Sequence, residues 1–166
     1  MKNKNSKIYI DGANLYSAIS FSDWDLDYKK FFRWLSEEFG TKEIYLFIGY
    51  VDNNKKLYSF LEEVGYRLIF KETLVSRGEI KGNCDAELVL KSTYDILKTD
   101  FKNFILVSSD GDFACLLKFA LKHKEYVRVI SPSRKLSYLI RKLNIPITYL
   151  SDIKTRVQKE KAPDRD

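Results

Sequence analysis

The stretch Phe104-Ile105-Leu106-Val107-Ser108-Ser109-Asp110-Gly111-Asp112-Phe113 decides the architecture. Four consecutive apolar residues suit a strand covered on both faces, which is how strands of a parallel sheet read. The polar Ser-Ser-Asp-Gly-Asp turn ends the strand. Phe113, Leu116, Leu117, Ala120 and Leu121 then recur at helical spacing. A buried strand that passes through a carboxylate-bearing turn into an amphipathic helix is one repeating step of an α/β sheet.

The step recurs on both sides of this stretch. Ile8-Tyr9-Ile10 runs into Asp11-Gly12 and a helical piece over 13–19. Asp27 is placed to N-cap a helix over 28–39, where Phe31, Phe32, Leu35 and Phe39 share a face and Gly40 stops it. A second strand covers 44–48. Leu57, Phe60, Leu61 and Val64 mark a helix closed by Gly65, and 66–70 is a third strand. Residues 71–83 read as a loop or irregular ribbon, followed by a helix over 85–97. The stretch 104–107 is then the fourth strand and 126–130 the fifth. A helix over 136–143 and an edge strand over 147–150 complete the pattern, with Pro146 where a missing N–H is tolerated. The expectation is an α/β fold: a mostly parallel central sheet of five or six strands with helices on both faces.

At 166 residues the chain suits one domain. Its expected limits are 7–150, between a flexible N-terminus over 1–6 and a charged, flexible tail over 151–166. Apolar residues at 45% supply a core, and a formal charge of +6 favours polyanionic partners such as nucleic acid. No apolar run reaches the ~20 residues of a membrane span, and the polar start has no secretory pattern. Cys84 and Cys115 stand apart without a zinc-type spacing, which fits a reducing cytoplasm. With His123 the single histidine, any Ser-His-Asp or Cys-His chemistry has to run through it.

The carboxylates fall at telling positions. Asp11 follows the first strand, Asp110 and Asp112 follow the fourth, and Asp85 and Glu87 open the helix between the third and the fourth. Ligands of an open parallel sheet bind at the carboxyl ends of its strands, where strand order reverses. If the first and fourth strands are neighbours, Asp11 and Asp110 meet there, with Asp85 delivered from the helix. Carboxylates about 4 Å apart repel by on the order of 4 kcal/mol per pair at an effective dielectric of 20, which a cation or a proton relieves. Oxygen-only ligation points to Mg²⁺ or Mn²⁺. Taken singly, each of these residues is equally explained as a turn or helix cap. Glu87, two residues after Asp85, points to another helix face. Asn14, one turn after Asp11, reaches the same pocket. Ser108 and Ser109 can bond a carboxylate, water or substrate, and Lys81, Arg134, Lys135, Arg141 and Lys142 can track a phosphate backbone or form a solvated face.

Ile8-Tyr-Ile-Asp-Gly-Ala-Asn-Leu15, Lys81-Gly-Asn-Cys-Asp-Ala-Glu-Leu-Val-Leu90 and Val107-Ser-Ser-Asp-Gly-Asp-Phe113 resemble the three signature blocks of NYN domains. With Val129-Ile-Ser-Pro-Ser-Arg134 and 136–143, the chain looks like the LabA-like (DUF88) branch of this PIN-like nuclease group. The resemblance implies a Rossmann-like PIN fold, an acidic metal centre and RNA hydrolysis. The family's acidic positions fall on Asp11, Asp85, Asp110 and Asp112, and its first-block Asn falls on Asn14. Ser109 stands where the family usually has Gly, so the loop carrying Asp110 has a different steric allowance.

These lines converge on a Mg²⁺- or Mn²⁺-dependent ribonuclease. Asp11, Asp85, Asp110 and Asp112 hold the metal, Asn14 joins them in catalysis, and Lys81, Ser108, Ser109, Arg134 and Lys135 bind substrate. The expected partner is single-stranded RNA, with a homodimer left open and no membrane association. Two rivals stand beside this expectation. One is a non-catalytic RNA- or protein-binding module on the same scaffold. The other is a metal-dependent phosphatase or phosphotransferase, although the Asp-x-Asp of an aspartyl-phosphate enzyme is missing after the first strand, where Gly12 and Ala13 follow Asp11.

Overall fold

Strand β1 (Ser6–Asp11) is buried along its whole length and lies inside a six-stranded, all-parallel sheet. The computed structural model describes residues 5–72, 74–76, 79–81 and 84–162, with side chains outside 72–83. On one side of β1 stand β2 (Ile44–Tyr50) and then β3 (Arg67–Glu72). On the other stand β6 (Asn103–Val107), β7 (Tyr126–Ser131) and β8 (Ile147–Tyr149). The remaining strands, β4 (Leu74–Ser76) and β5 (Glu79–Lys81), pair antiparallel as a separate ribbon within the stretch read as irregular.

Side-chain alternation along β1 divides the core. Ile8 and Ile10 face one layer, built on α1 (Gly12–Ser20), α2 (Tyr28–Phe39), α3 (Lys55–Val64) and α7 (Lys154–Val157). Tyr9 faces the other, built on α4 (Asp85–Lys98), α5 (Ala114–His123) and α6 (Tyr138–Arg141). Chain order runs outward from β1 through β2 and β3 under the first layer. It then returns to β6 and runs outward through β7 and β8 under the second. Strand order therefore reverses between β1 and β6, the place where such sheets bind ligands.

Two features hold the elements that carry the site. Tyr9 Oη donates to Asp95 on α4 at 2.8 Å, and Asp95, fully buried, also meets Lys91 at 2.7 Å and Lys7 at 3.7 Å. This fixes α4, and with it Asp85, against β1. At the start of α1, a side chain on Gly12 would collide with Ile48 and with the Phe47 carbonyl oxygen at 2.5 Å, so glycine permits the close approach of α1 to β2.

Three expectations are corrected. The helix read over 136–143 is one turn, Tyr138–Arg141. Ser137 fixes its start by accepting the Leu139 N–H, and Asn144, at φ 54°, turns the chain out of it. The chain past 150 is not a loose tail as far as Gln158. It forms a 3₁₀ turn over Leu150–Ile153 and then α7, buries Val157, and bridges Gln158 to Leu26. The sequence shows the charges there, while the two apolar anchors Ile153 and Val157 are sparse enough to miss. At the other end, Ser6 is already part of β1 and buried, while 1–4 lie outside the described residues. The stretch read as the fourth strand is, in chain order, the fourth strand of the main sheet, and it is labelled β6 because the separate ribbon takes two labels before it. No helix among the described residues is long and apolar enough to cross a membrane.

Candidate metal centre

Asp11 ends β1 and N-caps α1, its Oδ1 accepting the Asn14 N–H at 3.2 Å. Its Oδ2 accepts the Ser108 hydroxyl at 3.1 Å across the β1–β6 seam. Asp110 follows β6 and caps the 3₁₀ turn Gly111–Phe113, accepting the Asp112 N–H at 2.9 Å. Both residues are caps, as the simplest reading had it, and both also face the seam. Asp85 is not a cap. Cys84 holds the N-cap position and Asp85 is the first residue of α4.

These three acids, far apart in sequence, converge. One carboxylate oxygen from each of Asp11, Asp85 and Asp110 lies within 4.8 Å of the other two. Asp11 is buried and the other two are half-buried. Burial raises the Asp11 carboxyl above its ordinary range, against the hydrogen bonds from Asn14 and Ser108 that lower it. Asp85 is pushed up to about 6, by burial first and then by the charges of Asp11, Asp110 and Asp112, with Lys71 pulling the other way. The donors are oxygens only, so the set fits a hard divalent ion such as Mg²⁺ or Mn²⁺, and the repulsion at Asp85 is what a cation would relieve.

The other candidates are placed as follows. Asp112 is exposed and outside the close trio, though near enough to raise Asp85. Asn14 is bound by Ser109, whose N–H and Oγ both meet Asn14 Oδ1, at 3.0 and 3.1 Å. An N–H only donates, so the carboxamide oxygen is committed and Nδ2 is the end left to donate. Ser108 is fully buried, and its Oγ donates to Asp11 and accepts the Asp110 N–H at 3.1 Å, the bond to a carboxylate that the sequence allowed. Ser109 adopts no left-handed backbone, since Asn144 is the one such non-glycine among the described residues. Serine in place of the usual glycine is therefore unstrained there. Gly111 has a clear reason: a Cβ would strike Ser137, whose own Cβ would lie 2.9 Å away.

Ser109, Arg134 and Lys135 share a groove of about 580 Å³ with Asn14, beside the carboxylates. Arg134 is anchored by Ser151 Oγ at 2.9 Å and by Asp152, over the Tyr149 ring. The Lys81 side chain lies outside the described residues. Arg141 and Lys142 are exposed at the end of α6. His123 sits at the C-terminal end of α5 against Phe119, at the sheet end opposite the carboxylates, so no histidine chemistry involves this site. Burial pushes the Cys84 thiol up to about 11. Lys71, which sequence reasoning passed over, is the cation felt by Asp85. It is the next-to-last residue of β3, whose neighbours gave no charge pattern.

Comparison with known proteins agrees with this geometry. A crystal structure of a Vibrio parahaemolyticus protein of unknown function superposes with a TM-score of 0.74 at 20% identity, over 96% of this chain and all of that one. This likeness establishes the fold. No curated protein gives a significant match. The NYN domain family matches residues 5–149, a span that holds all three clustered acids and ends with β8. The six-stranded parallel sheet, the carboxylates at its switch point and that match agree: the chain belongs to the NYN domain family, a PIN-like nuclease family.

Proposed function

We propose that the protein is a Mg²⁺- or Mn²⁺-dependent ribonuclease, of the LabA-like branch of its family, that hydrolyses single-stranded RNA. The observation that supports this most is the convergence of Asp11, Asp85 and Asp110 to within 4.8 Å. Those three would hold the ion. Bound there, it would neutralise charge on the phosphodiester and make a water easier to deprotonate. Asn14, its oxygen tied to Ser109, presents Nδ2 to a phosphate oxygen. Asp112, on the exposed rim, orients the attacking water. Ser108 keeps Asp11 and the Asp110 backbone in register throughout. Two free cysteines, one buried and one exposed, support a reducing cytoplasmic setting.

A homodimer is part of the same reading. Leu90, Tyr94 and Leu97 form an exposed apolar stripe on α4. Sedimentation of the wild type and of Tyr94→Glu tests it, and identical monomeric behaviour of both removes it.

The test of activity is Asp110→Asn. The variant keeps the fold and the cap geometry and loses magnesium-dependent cleavage of single-stranded RNA, read on a denaturing gel. Equal cleavage by variant and wild type removes Asp110 from the chemistry. Persistent RNA binding by the wild type without products under any divalent ion would establish the binding-module reading instead.

A further inference from the structure

The groove beside the carboxylates carries more than the basic residues that led to it. It runs along the side of α1 that bears Asn14 and Ser17, and its far end is formed by Phe21 and Trp24. Phe21 is 90% exposed, a large apolar ring left in water. The backbone that carries it is fixed: its N–H closes the end of α1 onto Ser17 at 3.3 Å, and the next residue, Ser22, ties its hydroxyl to the Ile19 and Trp24 carbonyls at 2.6 and 2.8 Å. Trp24 is half-buried against the core and has the Lys154 ammonium over its ring.

The lining contains no acidic residue. It has Arg134, Lys135 and five serines. Arg134 is matched by Asp152, while Lys135 takes part in none of the ion pairs among the described residues. Aromatic faces next to an unmatched cation, with hydroxyls between, suit a polymer that alternates flat rings with anions. The groove opens at the Asn14–Ser109 pair, which lies directly beside the acid cluster.

We infer that this groove is a stacking subsite for unpaired bases of the RNA strand, with Phe21 and Trp24 as platforms and Lys135 as a phosphate contact. The assignment rests on the ribonuclease reading for the identity of the polymer. It supplies a reason for single-strand preference: a base inside a duplex has both faces covered by its neighbours and offers none to Phe21. It also gives the substrate a fixed path from the scissile bond, over Asn14 and Ser109, toward the end of α1.

The test uses the whole chain in EDTA, so that binding is read without cleavage. Titration with a uridine decamer is expected to quench tryptophan emission. The quench persists in Trp34→Phe, whose ring is buried, and disappears in Trp24→Phe. Phe21→Ala weakens binding by roughly tenfold, within the range for loss of one base–aromatic stack, with an unchanged thermal melt. Lys135→Ala lowers the salt dependence of binding by about one charge. A blunt duplex of equal length gives no quench. Wild-type affinity in both Phe21→Ala and Trp24→Leu overturns the groove, and if magnesium still yields products the nuclease reading stands without it. A Phe21-dependent quench with no cleavage under any divalent ion keeps the groove and overturns the nuclease. Absence of any RNA binding by the wild type overturns both.

Discussion

Ser108 Oγ donates to Asp11 Oδ2 at 3.1 Å and accepts the Asp110 N–H at the same distance, so one buried hydroxyl sets the spacing of two of the three clustered acids. The bond spans the seam between β1 and β6, where strand order reverses. Ser108→Ala leaves a buried carboxylate oxygen and a backbone N–H without this partner. The expected cost is about 1–3 kcal/mol of stability. Because Ser108 is buried between two of the clustered acids, the more telling readout is Mn²⁺ affinity by titration calorimetry, expected to fall roughly tenfold, the equivalent of about 1.4 kcal/mol. Unchanged Mn²⁺ affinity in a destabilised variant would make the residue structural only.

The electrostatics of the cluster predict a pH dependence with a definite sign. Asp85 in the folded protein titrates near 6, above the 3.8 of a free aspartate, chiefly through burial and then through Asp11, Asp110 and Asp112. Between these two values the folded chain holds a proton that the unfolded chain has released. The contribution to stability is present in full below about pH 4 and is lost as pH rises through about 6. Asp11, also raised, acts in the same direction. A divalent ion needs the carboxylates, so binding below about pH 6 expels a proton and affinity rises with pH up to that point. Thermal melts with and without Mn²⁺ check this. The metal-free melting temperature should fall across that window while the increment from Mn²⁺ grows. A Mn²⁺ increment that is flat across the window would separate Asp85 from the ion.

Much of this arrangement was legible in the sequence, and the parts that were not have physical reasons. The uninterrupted apolar runs at Ile44–Ile48 and Phe104–Val107 identify parallel strands because both faces are covered. Asp11 and Asp110 are legible as strand-end acids. Their adjacency follows from β1–β6 pairing, which no local pattern encodes. That Ser108 could bond a carboxylate was legible, and its hydroxyl does bond Asp11. The pairing of Asn14 with Ser109 was not, because a carboxamide chooses its partners only after the strands are in register. The short helix after residue 150 was not legible because two apolar residues, Ile153 and Val157, dock a segment that is otherwise charged. Phe21 and Trp24 carry a signal that was available, two aromatics in a polar turn immediately after a helix, but only the groove relates them to Arg134 and Lys135.

Gly12 tests how closely the site depends on the approach of α1 to the sheet. A methyl group there meets Ile48 and the Phe47 carbonyl oxygen, and the latter belongs to backbone that cannot yield easily. Gly12→Ala should cost about 1–3 kcal/mol through overpacking. Since Gly12 directly follows Asp11, the displacement of α1 should also reduce RNA cleavage more than a substitution on the exposed face of α3 such as Glu63→Ala does. Urea denaturation and initial rates measure the two effects. A variant with wild-type stability would mean that α1 sits further from β2 than described.

Ser109 asks whether departure from the family's usual glycine matters. The residue adopts an ordinary backbone conformation and bonds Asn14 Oδ1 twice, through its N–H and its hydroxyl. Ser109→Gly keeps the first bond and loses the second, at about 0.5–1.5 kcal/mol. It also frees the unfolded chain, adding roughly 0.5–1 kcal/mol to the loss. Stability should therefore drop by about 1–2.5 kcal/mol. The cleavage rate should stay within a few-fold of wild type, because the retained N–H still fixes the carboxamide with Nδ2 free to donate. Denaturant melts and single-turnover rates on one RNA substrate separate these quantities. A rate that rises more than about tenfold would show that the serine holds the Asp110 loop in a less reactive arrangement, and that Asn14 needs more freedom than this pair of hydrogen bonds allows.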